Sequence, residues 1–307
     1  MNRCPITYEE CKGRYSKNGL SQLAKGATQM NDLPYSAAEQ LHEAVARAGK
    51  MSVQGVQPKL SALFNKKKSV FTIVDRFGYY ILKPQNPHYK ELPENEDLTM
   101  KLASRSGIEV PFHGLVYSSD GSLTYFIKRF DRVGKKKISV EDFSQLSEMN
   151  RELKYKSSME KVAKDIEKFC TFPEIEKIRL FRLTLFFFLT GNEDMHLKNF
   201  SLITLKNRVA LSPAYDLLNT TAALKKTTEE FALSLAGKKR NITRELLINY
   251  FAYERLGLNK SVVTKVVSEI EYSYKTQWKE LISISFLSDE MQERYISIIE
   301  ERASRIF

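Results

Sequence analysis

The sequence predicts an α+β protein of two lobes, a small β-rich lobe followed by a mainly helical one. Three observations carry that expectation. Between residues 71 and 127 apolar residues alternate with period two, at Phe71 and Ile73, Tyr79 and Ile81, and Leu123, Tyr125 and Ile127. From about residue 139 the apolar spacing turns helical. At 307 residues the chain is long enough for two hydrophobic cores, and the change of period suggests an N-terminal lobe over residues 1–130 and a C-terminal lobe over 131–307.

The elements follow in order. A strand is expected over Leu60 to Phe64. Phe71 with Ile73 and Tyr79 with Ile81 stand on either side of the turn-forming Asp75-Arg76-Phe77-Gly78, which predicts a β-hairpin ending at Leu82-Lys83-Pro84. A helix is predicted over Glu94 to Ser106, acidic at its start (Glu94, Glu96, Asp97), basic near its end (Lys101, Arg105) and stopped by Gly107. A second hairpin runs from His113 to Tyr117, turns at Ser118-Ser119-Asp120-Gly121 and returns through Ile127.

In the second lobe, Met159 to Phe169 and Pro173 to Leu189 are helical by pattern, with Pro173 suited to a first turn. The apolar run Leu180 to Thr190 is too short for a membrane span, contains Arg182, and reads as a buried helix. Phe200, Leu202 and Thr204 alternate, Lys206-Asn207-Arg208 turns, and Val209 and Leu211 alternate again, predicting one hairpin among helices. Helices over Thr243 to Leu256, Ser261 to Leu281 and Ser288 to Arg305 complete the lobe, the last with Ser288 as its N-cap.

Composition excludes several classes. Hydrophobic residues at 42% and charged residues at 28% are those of a water-soluble globular chain, and 13 Gly with 9 Pro are too few for a low-complexity one. The three cysteines, Cys4, Cys11 and Cys170, cannot build a disulfide framework, which suggests a reducing, cytoplasmic setting. No metal-ligand spacing and no signal peptide is found, and no membrane association is expected. The net charge of +11 favours anionic partners. The basic runs at Lys66, Lys135 and Lys238 are not interleaved with aromatics, so direct nucleic-acid binding is not expected.

Chemistry concentrates after the apolar helix, in Gly191-Asn192-Glu193-Asp194-Met195-His196-Leu197-Lys198-Asn199. Asp194 and Asn199 stand five positions apart, a hairpin follows, and Asp216 comes after it in Ser212-Pro213-Ala214-Tyr215-Asp216. Phosphoryl transfer by a kinase asks for this set: a carboxylate to take the acceptor's proton, then an amide oxygen and a second carboxylate on the metal. Asp and Asn are also ordinary turn residues, but here a strand-end lysine, Lys83, and an acidic helix precede them in kinase order. A phosphate-binding GxGxxG loop is lacking; the segment ahead of the first strand, Met51 to Lys59, holds the single glycine Gly55.

The segments SVQGVQPKLSAL, ILKP, FIKRFDR, GNEDMHLKNFSL and SPAYDLLN together resemble the HipA family of bacterial toxin serine/threonine kinases, from about Met51 to the helical C-terminus. The resemblance implies a bilobal protein-kinase-like fold with ATP and Mg²⁺ as cofactors, bound in the interlobe cleft. It implies that Asp194 is catalytic, that His196, Lys198 and Asn199 contact nucleotide and metal, and that Asp216 binds metal with Tyr215 beside it. Lys83 matches the phosphate lysine, and Gln54, Gly55, Val56, Gln57 and Lys59 match the loop over the phosphates. The backbone of Lys128 and Phe130 matches the adenine contact, although the family often has Glu at the position of Lys128, and Asp131 is a candidate for ribose. Either Glu94 or Glu96 would pair Lys83. Ser52 matches the serine that the family autophosphorylates, while Gln54 stands where related chains often carry a second serine.

The short N-terminal leader is similar to that of the kinases of tripartite HipBST toxin–antitoxin systems. The resemblance then implies a protein-serine substrate such as an aminoacyl-tRNA synthetase, and a HipB-like DNA-binding antitoxin and a HipS-like antitoxin as partners. Two rivals remain at this point: a kinase for a small molecule, and a non-catalytic module of an antitoxin–DNA complex.

Overall fold

Residues 2–47, 58–134, 136–147, 155–224 and 229–307 are described by the computed structural model. They sort into two units. One comprises Met1–Leu98, Pro111–Lys135 and Ile284–Leu287, the other Thr99–Val110, Lys136–Ser283 and Ser288–Phe307.

The first unit opens with two short antiparallel strands, β1 (Asn2–Arg3) and β2 (Glu10–Cys11), and two helices, α1 (Lys17–Leu23) and α2 (Ala37–Arg47). Its centre is an antiparallel sheet of β3 (Leu60–Asn65), β4 (Val70–Ile73), β5 (Tyr80–Lys83), β6 (His113–Tyr117) and β7 (Leu123–Lys128), in the order β4-β3-β5-β7-β6. Helix α3 (Leu92–Arg105) leaves this sheet after β5 and belongs to the second unit from Thr99 onward. The two-residue strand β8 (Arg132–Val133) follows β7. The sheet buries Leu60, Ala62, Phe71, Leu82 and Phe126 against Leu20 and Leu23 of α1. Removing such side chains from water is worth about 1.5–3 kcal/mol each and holds the sheet to the helix.

The second expected hairpin is present, with Tyr117 opposite Leu123 across β6 and β7. The first is not. Strands β4 and β5 both exist, but each pairs with β3, which lies between them. The residues flanking the connection bond to β3 as well: Val74 N–H to the Ser61 carbonyl at 2.9 Å and Tyr79 N–H to the Ala62 carbonyl at 3.0 Å. Alternation identifies a strand but not its neighbour, and a third strand of matching pattern took the middle place. Gly78 reflects this packing. A Cβ there would lie 2.0 Å from Ser61 Oγ and 2.9 Å from Ala62 N, so the glycine permits close approach to β3.

The second unit contains β9 (Lys136–Lys137), β10 (Ser139–Asp142), α4 (Phe143–Leu146), α5 (Met159–Phe169), α6 (Pro173–Leu189), β11 (Ser201–Leu205), β12 (Arg208–Leu211), α7 (Thr220–Ala223), α8 (Lys260–Ser273), α9 (Lys279–Ser283) and α10 (Asp289–Ser304). Helices α5 and α6 have the predicted bounds. In α6, Leu180, Phe181 and every residue from Leu183 to Leu189 are buried, so its interior position removes the amphipathic stripe expected of a surface helix. The predicted hairpin forms with Lys206 and Asn207 at φ 48 and 63, the two left-handed residues of a tight type I′ connection. It gains a third strand, β10, which sequence patterning did not reveal.

Two predicted helices change character. Glu245–Arg255 is π-helical, and the long helix expected over Ser261 to Leu281 is α8, a π-helical turn at Tyr274–Trp278, and α9. The π-helix closes i→i+5 hydrogen bonds in place of i→i+4, a change of register that helical composition does not announce. Ser288 caps α10 as expected, its hydroxyl accepting from Met291 N–H.

Candidate active site

In the first unit, Lys83 ends β5 opposite Tyr125 of β7, with Nζ 5.6 Å from that ring's centroid. Its ammonium meets Glu96 Oε1 of α3 at 2.5 Å, and both side chains are buried. Glu94, the competing carboxylate, accepts instead from Gln85 Nε2, at 2.7 and 2.8 Å to its two oxygens. Burial, reinforced by the neighbouring Glu91 and Asp97 carboxylates, pushes the Glu94 carboxyl up to about 7. The choice between two glutamates two positions apart is thus geometric: they project about 200° apart around a helix of 3.6 residues per turn. His113, which looks isolated in sequence, is buried and bonded through Nδ1 to Asp97 Oδ1 at 2.7 Å.

Lys128 ends β7 with an exposed side chain. Its N–H donates to the Phe112 carbonyl at 2.8 Å, and the next residue, Arg129, donates from its backbone to Tyr79 at 2.8 Å. The Lys128 carbonyl takes no part in either bond. Phe130 follows, half-buried. Asp131 accepts from Arg129 at 2.8 and 2.7 Å and from Arg132 at 2.8 Å. Burial would raise its carboxyl, but the two guanidinium groups outweigh that and hold it below the usual carboxylate value. The candidate ribose carboxylate is thus engaged by two arginines. Lys59 is half-buried immediately before β3. Ser52, Gln54, Gly55, Val56 and Gln57 lie outside the described residues.

In the second unit, the loop after α6 is tied by its own residues. Asn192 Oδ1 accepts from Asp194 N–H at 3.2 Å, and the Asp194 carbonyl accepts from His196 N–H at 2.8 Å and Asn199 Nδ2 at 2.9 Å. The last bond gives the Asp-to-Asn spacing a physical meaning. The Asn199 amide nitrogen closes the loop, and its oxygen is the atom suited to a cation. The carboxylate of Asp194 accepts from the Tyr155 hydroxyl at 2.6 Å, and burial together with that carboxylate pushes the Tyr155 phenol up. His196 is buried with its ring edge-on to Tyr155, centroids 5.0 Å apart. Lys198 is half-buried within the short 3₁₀ turn Leu197–Asn199.

Tyr215 serves this loop. Its hydroxyl bonds Ser201 Oγ of β11 at 2.5 Å and the Lys198 carbonyl at 2.9 Å. Asp216 follows at φ 55, a left-handed backbone conformation uncommon outside glycine and a frequent mark of functional turns. Sequence reading missed the strap beneath the loop. The Gly191 carbonyl accepts from Thr220 Oγ1 at 3.1 Å and Thr221 Oγ1 at 2.9 Å, while Glu193 Oε1 receives Thr221 Oγ1 at 2.7 Å and Arg302 Nη2 of α10 at 3.3 Å. The one visible sign of it was Asn219, whose side chain caps α7 by accepting from Ala222 N–H at 2.8 Å.

Among the described residues no group of three or more His, Cys, Asp or Glu side chains is placed to hold a metal. Mg²⁺ in nucleotide sites commonly takes one or two protein oxygens and completes its shell with phosphates and water. Asn199 and Asp216 carry an amide oxygen and a carboxylate, hard donors of the type that this ion prefers.

A family model described as the HipA-like C-terminal domain matches residues 51–278. A Haemophilus influenzae protein named as a presumptive kinase is 29% identical over a 324-residue alignment covering 94% of this chain and 92% of that protein. The serine/threonine-protein kinase toxin HipA of Shewanella oneidensis is 28% identical over 190 residues, 55% of this chain but only 43% of the toxin. Among solved structures, the Shewanella oneidensis HipA in complex with HipB and operator DNA aligns over 92% of this chain and 74% of its own, with TM-score 0.70 and 21% identity. The Helicobacter pylori proinflammatory kinase CtkA aligns over 74% of this chain and 87% of its own, with TM-score 0.54 and 16% identity. At those identities the likeness shows a kinase-like fold.

Proposed function

The chain belongs to the family of HipA-like C-terminal domains, and from that premise we propose that it is an ATP- and Mg²⁺-dependent protein serine/threonine kinase acting as the toxin of a toxin–antitoxin system. The buried Lys83–Glu96 pair is the observation that carries the reading. Burying two charges costs several kcal/mol per ion, and fixing a strand lysine by a helix carboxylate is how protein kinases position the nucleotide phosphates. Asp194 accepts the proton of the acceptor hydroxyl. Asn199 and Asp216 hold the metal, which when bound neutralises charge on the phosphates. The Lys128 carbonyl and the Phe130 backbone face adenine, and His196 and Lys198 complete the nucleotide-handling loop.

The finer parts rest on resemblance and on relatives. HipT, the kinase of the HipBST systems, is the subtype proposed. The solved Shewanella oneidensis HipA is a complex with HipB and operator DNA, which supports a HipB-like antitoxin partner here, alongside a HipS-like one. The substrate is a protein serine, with an aminoacyl-tRNA synthetase as first candidate, and Ser52 is an autophosphorylation site. The setting is the bacterial cytoplasm, and no described helix is long and apolar enough to cross a membrane.

Incubation of the purified chain and a cell lysate with γ-labelled ATP and Mg²⁺ tests the reading. Labelled protein that disappears with Asp194→Asn is the expected result. Label appearing only in small molecules would point to a metabolite kinase and overturn it.

A further inference from the structure

We infer that Tyr155 is a phosphoryl acceptor for this chain's own active site, so that the seat of the acceptor hydroxyl admits a phenol as well as the serine proposed above. This rests on the reading of Asp194 as the catalytic carboxylate. The Tyr155 hydroxyl donates to Asp194 Oδ1 at 2.6 Å. That is the contact an acceptor must make to pass its proton to a general base.

The phenol is presented to the carboxylate by a built arrangement. Its ring stands edge-on to His196, two residues beyond Asp194, with centroids 5.0 Å apart and planes at 78°. The backbone just past it is anchored, with the Ser157 carbonyl accepting from Ser234 N–H at 3.3 Å and Met159 N–H donating to the Ser234 carbonyl at 2.9 Å. Ser158 caps α5 by accepting from Lys161 N–H at 3.3 Å. Tyr155 is also 40% exposed. A tyrosine kept for packing would bury its ring, whereas this one keeps much of its surface in solvent and places its hydroxyl on the carboxylate that phosphoryl transfer uses.

In the transfer, the Tyr155 oxygen bonds to the γ-phosphorus of ATP as the bond from that phosphorus to the β,γ-bridging oxygen breaks. ADP leaves with the electron pair, and the phenolic proton passes to Asp194 and then to solvent. The product carries close to two negative charges beside a carboxylate. Repulsion drives it out of the seat, and the exposed position lets it leave without opening a core. The seat is then free for a protein acceptor.

The test uses phosphatase-treated full chain incubated with Mg²⁺ and ATP, with casein as a generic acceptor. Tandem mass spectrometry locates the phosphates in wild type and in Asp194→Asn. Phosphate on Tyr155 is expected in wild type, at a rate independent of protein concentration, and absent from Asp194→Asn. Labelled casein or phosphorylated Ser52 with Tyr155 unmodified overturns this inference and leaves the kinase reading standing. A rate that rises in proportion to protein concentration, or phosphate on Tyr155 in Asp194→Asn, also overturns it. Transfer to no acceptor at all overturns both readings.

Discussion

Lys83 and Glu96 meet at 2.5 Å with only 3% and 1% of their side-chain surfaces exposed, joining the end of a central strand to the first turns of α3. Removing one partner takes this compensation from a buried charge. Glu96→Gln is therefore expected to cost about 3–5 kcal/mol of stability, measured by urea unfolding. Replacing both residues with apolar ones should cost less than the sum of the single changes, because neither buried charge then remains to be compensated. The single variant should also lose most phosphoryl transfer, since the lysine is no longer aimed.

Gly191 is expected to tolerate no side chain. It sits at φ 65, and a Cβ would lie 2.9 Å from each of Asn219 Oδ1, Thr221 Oγ1 and Ile298 Cγ2. The strain of the left-handed conformation alone is about 1–2 kcal/mol for alanine. Gly191→Ala should lower thermal stability and, by shifting the strap under Asp194, reduce kcat at least about 10-fold. A variant with wild-type kcat would show that the strap does not position the loop.

Tyr215→Phe removes the hydroxyl shared by Ser201 and the Lys198 carbonyl. Leaving those two groups without this partner is expected to cost about 1–3 kcal/mol. The loss should appear in kcat more than in the KM for ATP, because the tie holds the catalytic loop. An equal rise in KM alone would assign Tyr215 to nucleotide binding instead.

Glu94 provides a pH signature. Its carboxyl is raised from an ordinary value of 4.5 to about 7 in the folded chain, so folding favours its protonated form. The stability it contributes is complete below about pH 4.5 and is lost as the pH rises through 7. Glu94→Gln should thus stabilise the protein at pH 8, by an amount on the order of 3 kcal/mol, and have little effect near pH 4.5. Melting temperatures of the two proteins across that range check it, and a difference independent of pH would remove Glu94 as the source.

Much of the local structure was legible. Helices α5 and α6, the cap of α10 and the hairpins β6–β7 and β11–β12 follow from apolar period, cap residues and turn residues, all of which act over a few positions. The Asp194-to-Asn199 spacing was visible too, because the bond that closes the loop spans those same few residues. What was not visible involves partners distant in sequence. Strand β3 separates β4 from β5, α3 changes unit at Thr99, and Tyr155 reaches Asp194 across 39 positions.

Short-range pattern in the sequence carried helices α5 and α6, the hairpins β6–β7 and β11–β12, the kinase-like series of carboxylates and amide, and the family resemblance. Tertiary structure decided which glutamate holds Lys83, that Asp131 is already engaged by Arg129 and Arg132, and that Thr220, Thr221 and Arg302 secure the loop. Those outcomes depend on which side chains share a closed space. Burial makes an unpaired charge or hydrogen-bonding group costly, and so selects one partner among several that the sequence offers equally.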